Sequence, residues 1–111
     1  MKCNLSHKAE QDVLDISANL KLKSRELGES FFDELDDVRD TFSKFPEIAP
    51  VISKRLQDAF PQQLKGMRYW RMSKFDKYVI FYRVKKDKIV IDRIIHSRRN
   101  MLAIFDDWLR E

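Results

Sequence analysis

YVIFYRVKKDKIVIDRIIHSRRN, residues 78–100, holds two runs of β-branched and aromatic residues around a short basic turn. Such residues favour strands, and two strands joined by so few residues lie antiparallel. The runs predict strands over residues 78–84 and 89–96, and MRYWRM at residues 67–72 predicts another strand before them. Three consecutive antiparallel strands therefore decide the second half of the fold.

Alternation along two of these strands predicts which side chains share a face. In the strand over 78–84, one face carries Tyr78, Ile80, Tyr82 and Val84, and the other carries Val79, Phe81 and Arg83. In the strand over 89–96, one face carries Ile89, Ile91, Arg93 and Ile95, and the other carries Val90, Asp92, Ile94 and His96. Because neither face is cleanly polar, the sheet is expected to be covered on both sides.

Two amphipathic helices are predicted before the sheet. A short strand over residues 2–6 ends at Ser6, the N-cap of a helix with an apolar stripe of Ala9, Val13, Ile16 and Leu20. The next helix ends at Pro46 and has a longer stripe of Leu27, Phe31, Leu35, Val38, Phe42 and Phe45. Its acidic residues are predicted on the outer face: Asp33, Glu34, Asp36, Asp37 and Asp40. The two helices form a hairpin that covers one face of the sheet.

The other face needs a second cover. A C-terminal helix from about Asn100 to Leu109 is one candidate, and a separate protein is the other. The segment between Pro46 and Gly66 is predicted as a connector with a possible short helix over residues 51–60. The fold class is therefore α+β, a single domain over residues 1–111: an N-terminal helical hairpin packed on a small antiparallel sheet of about three or four strands, with a short C-terminal helix.

Composition limits the function classes. The chain has 111 residues, one Cys and two His, too few for a disulfide or a zinc site, so no metal or cofactor is expected. No stretch approaches the roughly 18 apolar residues of a membrane span, and no apolar segment follows the N-terminus as in a signal peptide. These features favour a cytoplasmic protein that does not enter membranes. Cys3 is interpreted as a buried strand residue rather than a nucleophile.

Charge is distributed unevenly along the chain. Residues 1–60 have a net charge of −3 and residues 61–111 a net charge of +7. Between Lys65 and Arg99, 12 basic residues stand against 3 acidic ones. Such a positive field indicates an anionic partner, either a nucleic acid or an acidic protein segment, or only a solvated face.

The order of these segments resembles the RelE/ParE superfamily of toxins from bacterial type II toxin–antitoxin systems. The resemblance covers nearly the whole chain and rests on LSHKAEQDVLDI, FFDELDDVRDTFSKFPE, YVIFYRV and RIIHSRRN in sequence. It is closest to the ParE branch, whose members are understood to poison DNA gyrase without a defined catalytic residue set. The resemblance implies a cognate antitoxin as partner, an extended protein that folds on the toxin.

The RelE branch implies a different activity, a ribosome-dependent mRNA endoribonuclease, and LKGMRYWRM at residues 64–72 is similar to it. Cleavage through the RNA 2′-hydroxyl needs an acid, a base and cations for the phosphorane. The candidate catalytic residues are then His96, Arg71, Arg83 and Arg98. RelE-type proteins usually carry a tyrosine near the C-terminus, and the tail NMLAIFDDWLRE has none.

The hypothesis favoured by these residues is a non-enzymatic toxin that poisons gyrase. Its target-binding residues are predicted to be Arg68, Arg71, Arg83, His96, Arg98 and Arg99. An mRNA endoribonuclease, with the ribosome and mRNA as targets, remains the alternative, as does an inactive member of the fold that only binds antitoxin. His96 also has a structural interpretation, as a strand-end histidine bonded to the backbone. For the oligomeric state, the sequence is compatible with a homodimer and with a hetero-oligomer that includes the antitoxin.

Overall fold

The computed structural model describes residues 1–97, which form four strands and four helices. The strands are β1 (Lys2–Leu5), β2 (Arg68–Arg71), β3 (Tyr78–Val84) and β4 (Lys88–His96). The helices are α1 (His7–Lys23), α2 (Arg25–Lys44), α3 (Lys54–Ala59) and α4 (Pro61–Leu64). The predicted α+β class is confirmed. The predicted C-terminal helix lies outside the described residues.

The four described strands form one sheet in the order β1-β4-β3-β2. As predicted, β2 is antiparallel to β3, and β3 is antiparallel to β4. The sheet is nevertheless mixed, because β1 lies parallel to β4, with Lys2 opposite Lys88 and Leu5 opposite Ile91. Two long helices separate β1 from the rest of the sheet along the chain, so the short-turn rule that makes the other strands antiparallel does not apply to it.

Serine caps define the helical hairpin. Ser6 accepts a hydrogen bond from the Ala9 amide at 3.0 Å and donates one to the Asp92 carbonyl at 2.8 Å, which ties the start of α1 to β4. Ser24 ends α1 and also caps α2, so the joint between the helices is one residue long. At Gly28 an added Cβ would lie 2.5 Å from the Lys21 side chain, so a larger residue there would require that side chain to move.

The larger core lies between the hairpin and the sheet. Phe42 of α2 stacks on Tyr82 of β3 with ring centroids 3.9 Å apart. The Tyr82 hydroxyl donates to the Pro46 carbonyl at 3.0 Å and accepts from the Ala49 amide at 3.3 Å. This buried hydroxyl therefore fixes the chain where it leaves α2.

Phe45 departs from the predicted stripe of α2. The helix ends at Lys44, and Phe45 is its C-cap with φ −131° and ψ 73°. The proline that follows disfavours the helical conformation at Phe45, so its side chain turns outward and is 61% exposed. The assignment of Phe45 to the apolar stripe was wrong.

Glu34 also differs from its predicted position on the outer face. It is buried, and its carboxylate accepts hydrogen bonds from the amides of Ser73 at 2.6 Å and Lys74 at 2.7 Å. These are the first residues of the turn between β2 and β3. A helix-borne carboxylate thus holds the turn in place through charge-assisted hydrogen bonds.

A β-bulge interrupts β4. Phe81 is opposite Arg93 and Tyr82 is opposite Ile91, so Asp92 has no partner on β3. The extra residue reverses the alternation beyond it. Ile89, Ile91 and Ile94 therefore belong to the core under the helices, whereas Ile95 belongs to the other face. The predicted grouping of Ile91 with Ile95 was wrong for this reason.

The connector covers the second face of the sheet. Its residues Ile52, Leu64 and Met67 form a small core with side chains of the sheet, namely Val79, Phe81 and Ile95. The Ile52 amide donates to the Met67 carbonyl at 2.9 Å, and the Tyr69 amide donates to the Pro50 carbonyl at 3.1 Å. The connector thus also pairs with the outer edge of β2. The sequence prediction did not include this cover.

Candidate functional site

Arg68 lies on the helix-facing side of β2, opposite Tyr82. Its guanidinium donates to the carbonyl of Ala49 at 2.6 Å and to that of Glu47 at 3.3 Å. Both acceptors belong to the first turn of the connector. A cation bound to two backbone carbonyls fixes that turn and has fewer donors left for an anionic target.

Arg83 is near the same end of the sheet but on the second face. It forms a two-pronged ion pair with Asp92, from Nε at 3.0 Å and from Nη2 at 3.1 Å. A third hydrogen bond goes from Nη1 to the Gln63 carbonyl at 3.1 Å. Asp92 is the bulged residue, so this pair joins the bulge to the end of α4.

Arg71 is the exposed arginine of β2. Its guanidinium donates to the Asp76 carbonyl at 2.6 Å, across the turn that leads into β3. It lines an open groove on the second face, together with Tyr69, Phe81 and Ser97 and with apolar connector residues. Tyr69 is 41% exposed there.

His96 ends β4 on the helix-facing side. Its ring meets Tyr78 edge to face, with centroids 5.0 Å apart. It lines a groove between β4 and α1, where the polar groups include Asp12, Asp15 and Arg93. It also lines a second groove, together with Lys23, Lys74 and Lys77.

Arg93 in that groove is neutralised by an ion pair. Its Nε lies 2.8 Å from Asp12 Oδ2 and its Nη2 lies 3.1 Å from Oδ1. The same carboxylate accepts the Ile94 amide at 2.9 Å. No local pattern in the sequence connects Asp12 with Arg93, because the two residues lie 81 positions apart.

The four described candidates do not form one cluster. Arg71 and His96 lie near one end of the sheet on opposite faces, since Val79 is opposite both Arg71 and Ile95. Arg68 and Arg83 lie roughly 10 Å further along, at about 3.3 Å per residue, and also on opposite faces. Arg98 and Arg99 lie outside the described residues. The assignment of these six residues to target binding stays a prediction.

Cys3 is buried in β1, as predicted. Burial raises the pKa of the Cys3 thiol, and the nearby charge of Arg39 opposes that rise. Arg39 also donates two hydrogen bonds to the Cys3 carbonyl, at 2.7 and 3.1 Å. A buried thiol with a raised pKa is a poor nucleophile.

Among residues 1–97, no three His, Cys, Asp or Glu side chains come together as metal ligands. No helix in the same range has the length and apolar character needed to cross a membrane.

Comparison with known proteins identifies the family. The family model described as the ParE toxin of the type II toxin–antitoxin system parDE matches residues 4–101. A solved chain from a chromosomal ParDE TA system of P. aeruginosa has a similar fold, with a TM-score of 0.66 and 18% identity over 86% of this chain and 95% of that one. No curated protein matches the chain. Because the family match spans most of the sequence, the chain belongs to the ParE family of toxins of type II toxin–antitoxin systems.

Proposed function

We propose that this toxin arrests growth by binding and poisoning DNA gyrase without catalysing a reaction itself, and that a cognate antitoxin neutralises it. The observation that carries the proposal is the state of the candidate catalytic arginines. Arg83 is paired with Asp92, and it lies at the other end of the sheet from Arg71 and His96. Such a distribution supports binding over phosphate chemistry.

One of the two grooves beside His96 supports the same conclusion. RNA cleavage requires uncompensated cations where the phosphorane charge develops. In the groove between β4 and α1, Arg93 is neutralised by Asp12, and the remaining carboxylate of Asp15 would repel a phosphate. The second groove contains Lys23, Lys74 and Lys77 beside His96, so its charge alone does not exclude a phosphate.

The second face offers the better docking surface for the target. Tyr69 and Arg71 flank the open groove there, and partly buried Leu56 of α3 contributes to its apolar lining. Ser97 is at its rim, and Arg98 and Arg99 follow directly in sequence. An aromatic ring, an apolar floor and guanidinium groups are the residue types that dominate protein interfaces. We propose that Arg71, Arg98 and Arg99 contact gyrase, and that Arg68 and Arg83 support the strands.

The test uses purified protein free of antitoxin. We expect it to inhibit gyrase supercoiling at near-stoichiometric amounts and to leave cleaved DNA complexes. Arg71→Ala combined with Arg98→Ala and Arg99→Ala should weaken inhibition by about tenfold or more. Arg25→Ala is the matched control, since Arg25 is largely exposed and lies at the start of α2.

Two results would contradict gyrase poisoning. Intact supercoiling in excess toxin, together with codon-periodic mRNA cuts in a translation extract, would identify an endoribonuclease. Intact supercoiling with intact mRNA, from a protein that still binds its antitoxin, would identify an inactive member of the fold.

A further inference from the structure

An exposed apolar surface lies at the end of the sheet away from His96. It is formed by Met1, Phe45, Ile48 and Val84, which line an open groove of about 470 Å³. Phe45 is 61% exposed, Met1 52% and Ile48 45%. Large apolar side chains grouped in this way mark an interaction surface more often than chance exposure does. We call it the lysine-rimmed patch, for the charges described below.

The patch is built on a fixed backbone. The Phe45 amide donates to the Thr41 carbonyl at 2.8 Å. Tyr82 holds Pro46 and Ala49, and Arg68 holds Glu47 and Ala49, through the hydrogen bonds already described. The side chains of Phe45 and Ile48 are thus presented outward by a segment that the core restrains. A preorganised surface of this kind loses little conformational entropy on binding.

Four exposed lysines adjoin the residues of the patch. Lys85 and Lys86 follow Val84 directly in the turn before β4, and Lys2 follows Met1 and is opposite Lys88 where β1 meets β4. The groove itself also has Lys44, which is paired with Asp40, and Glu47. With Asp87, these segments hold three carboxylates against five lysines, so the rim has a net positive charge around an apolar centre.

We infer that the lysine-rimmed patch holds an acidic, amphipathic segment of the antitoxin. Its apolar side chains would cover Phe45 and Ile48 while its carboxylates face the lysines. A symmetric contact between two copies of this chain would instead bring two positive rims together, which opposes dimerisation through this surface. A nucleic acid would find aliphatic groups at the centre, where base edges require hydrogen-bond partners. This inference rests on the proposed antitoxin partnership.

The experiment measures binding of this protein to its cognate antitoxin, sought as the acidic product of an adjoining reading frame. Phe45→Ser with Ile48→Ser removes the apolar centre, and Lys85→Glu with Lys86→Glu reverses the rim. We expect each pair to raise the Kd by about tenfold or more. The lysine variant should also show a weaker dependence of the Kd on salt, because it has fewer cations facing the partner.

Two control variants distinguish an effect of the patch from a general effect of losing exposed apolar or basic side chains. Leu14→Ser with Leu22→Ser removes apolar side chains that are 59% and 86% exposed on α1. Lys54→Glu with Lys65→Glu reverses two exposed lysines elsewhere. Both controls should bind like the parent. The melting temperature of each variant reports its fold, and the lysine pair lies in an exposed turn where substitution is tolerated.

Several outcomes would overturn the inference. The first is a Kd for the antitoxin within twofold of the parent's in both patch variants, and the second is failure of the parent to bind the acidic product. The third is a monomer–dimer equilibrium, or binding of an oligonucleotide, that the patch variants abolish while they still bind the antitoxin. A growth assay separates this from the proposed function. Patch variants should arrest growth as the parent does and should escape neutralisation by the antitoxin. If the parent itself does not arrest growth, that result contradicts the proposed toxin function and leaves the binding measurement to test the patch.

Discussion

The two faces of the sheet are built differently. On the helix side, two long amphipathic helices bury a continuous core that includes Phe31, Phe42 and Tyr82. On the second side, the described cover is the connector with the short helices α3 and α4, and its core is much smaller. The first face therefore supplies most of the apolar burial, while the second leaves Tyr69 and Arg71 accessible at the edge of the sheet. Most of the stability is thus assigned to the first face, and the proposed target recognition to the second.

This comparison is tested most strongly at Phe42. Phe42→Ala should lower the free energy of unfolding by about 3–5 kcal/mol, because it removes a fully buried ring stacked on Tyr82. Urea denaturation measures the change. Phe45→Ala, three residues on and 61% exposed, should stay within about 0.5 kcal/mol of the parent. Equal losses in the two variants would show that the helix face does not carry the core.

The second face is tested at Leu64, which is fully buried between the connector and the sheet. Leu64→Ala should cost about 2–3 kcal/mol, at the low end of such substitutions because the short helices around it can close the cavity. Leu22→Ala, at a position 86% exposed, is the control for urea denaturation. A loss as large as that of Phe42→Ala would remove the distinction between the faces.

Arg83 and Arg71 sharpen the division between support and recognition. Arg83→Met should lower stability by about 1–3 kcal/mol, since it leaves the mostly buried Asp92 carboxylate without its partner. Arg71→Met should leave stability within about 0.5 kcal/mol of the parent and weaken gyrase inhibition. Chemical denaturation measures the stability of both variants, and a supercoiling assay measures how strongly each inhibits gyrase. The reverse pattern would exchange the roles of the two arginines.

Alkaline pH tests the burial of Cys3 beneath the helices. Since the folded pKa of its thiol is raised, the unfolded chain loses this proton first, and stability falls as the pH rises above the ordinary thiol value. Cys3→Ala should lose stability less steeply there, by no more than about 1.4 kcal/mol per pH unit. Tyr82, whose pKa burial also raises, is present in both proteins. Parallel stability curves would show that Cys3 is not buried as described.

The difference between the two faces of the sheet also explains which parts of the fold the sequence predicts. The stripes of α1 and α2 and the runs of β3 and β4 are periodic, so local pattern identifies them. The connector contains Pro46, Pro50 and Pro61, and its apolar residues meet the sheet through contacts that no period encodes. Asp92 in the middle of an apolar strand was the one signal of the bulge.

Prediction of the site was limited by long-range pairing. The sequence marks Arg68 and Arg83 as cations but does not reveal that Ala49 and Asp92 hold them. Arg71 has a similar local context and remains exposed. Residue type and position on a strand therefore nominate candidates, and only the tertiary contacts divide supporting arginines from accessible ones.

The central claim is that this toxin acts by binding and not by catalysis, and growth arrest by His96→Ala tests it most directly. The measurement is the expression level that halts growth, compared between the parent and His96→Ala at equal protein abundance and with folding checked by melting temperature. The account predicts a change of no more than about tenfold, because His96 contributes contacts rather than proton transfer, whose loss typically costs about 10²–10⁴-fold. Loss of toxicity by several orders of magnitude in a folded protein would contradict it.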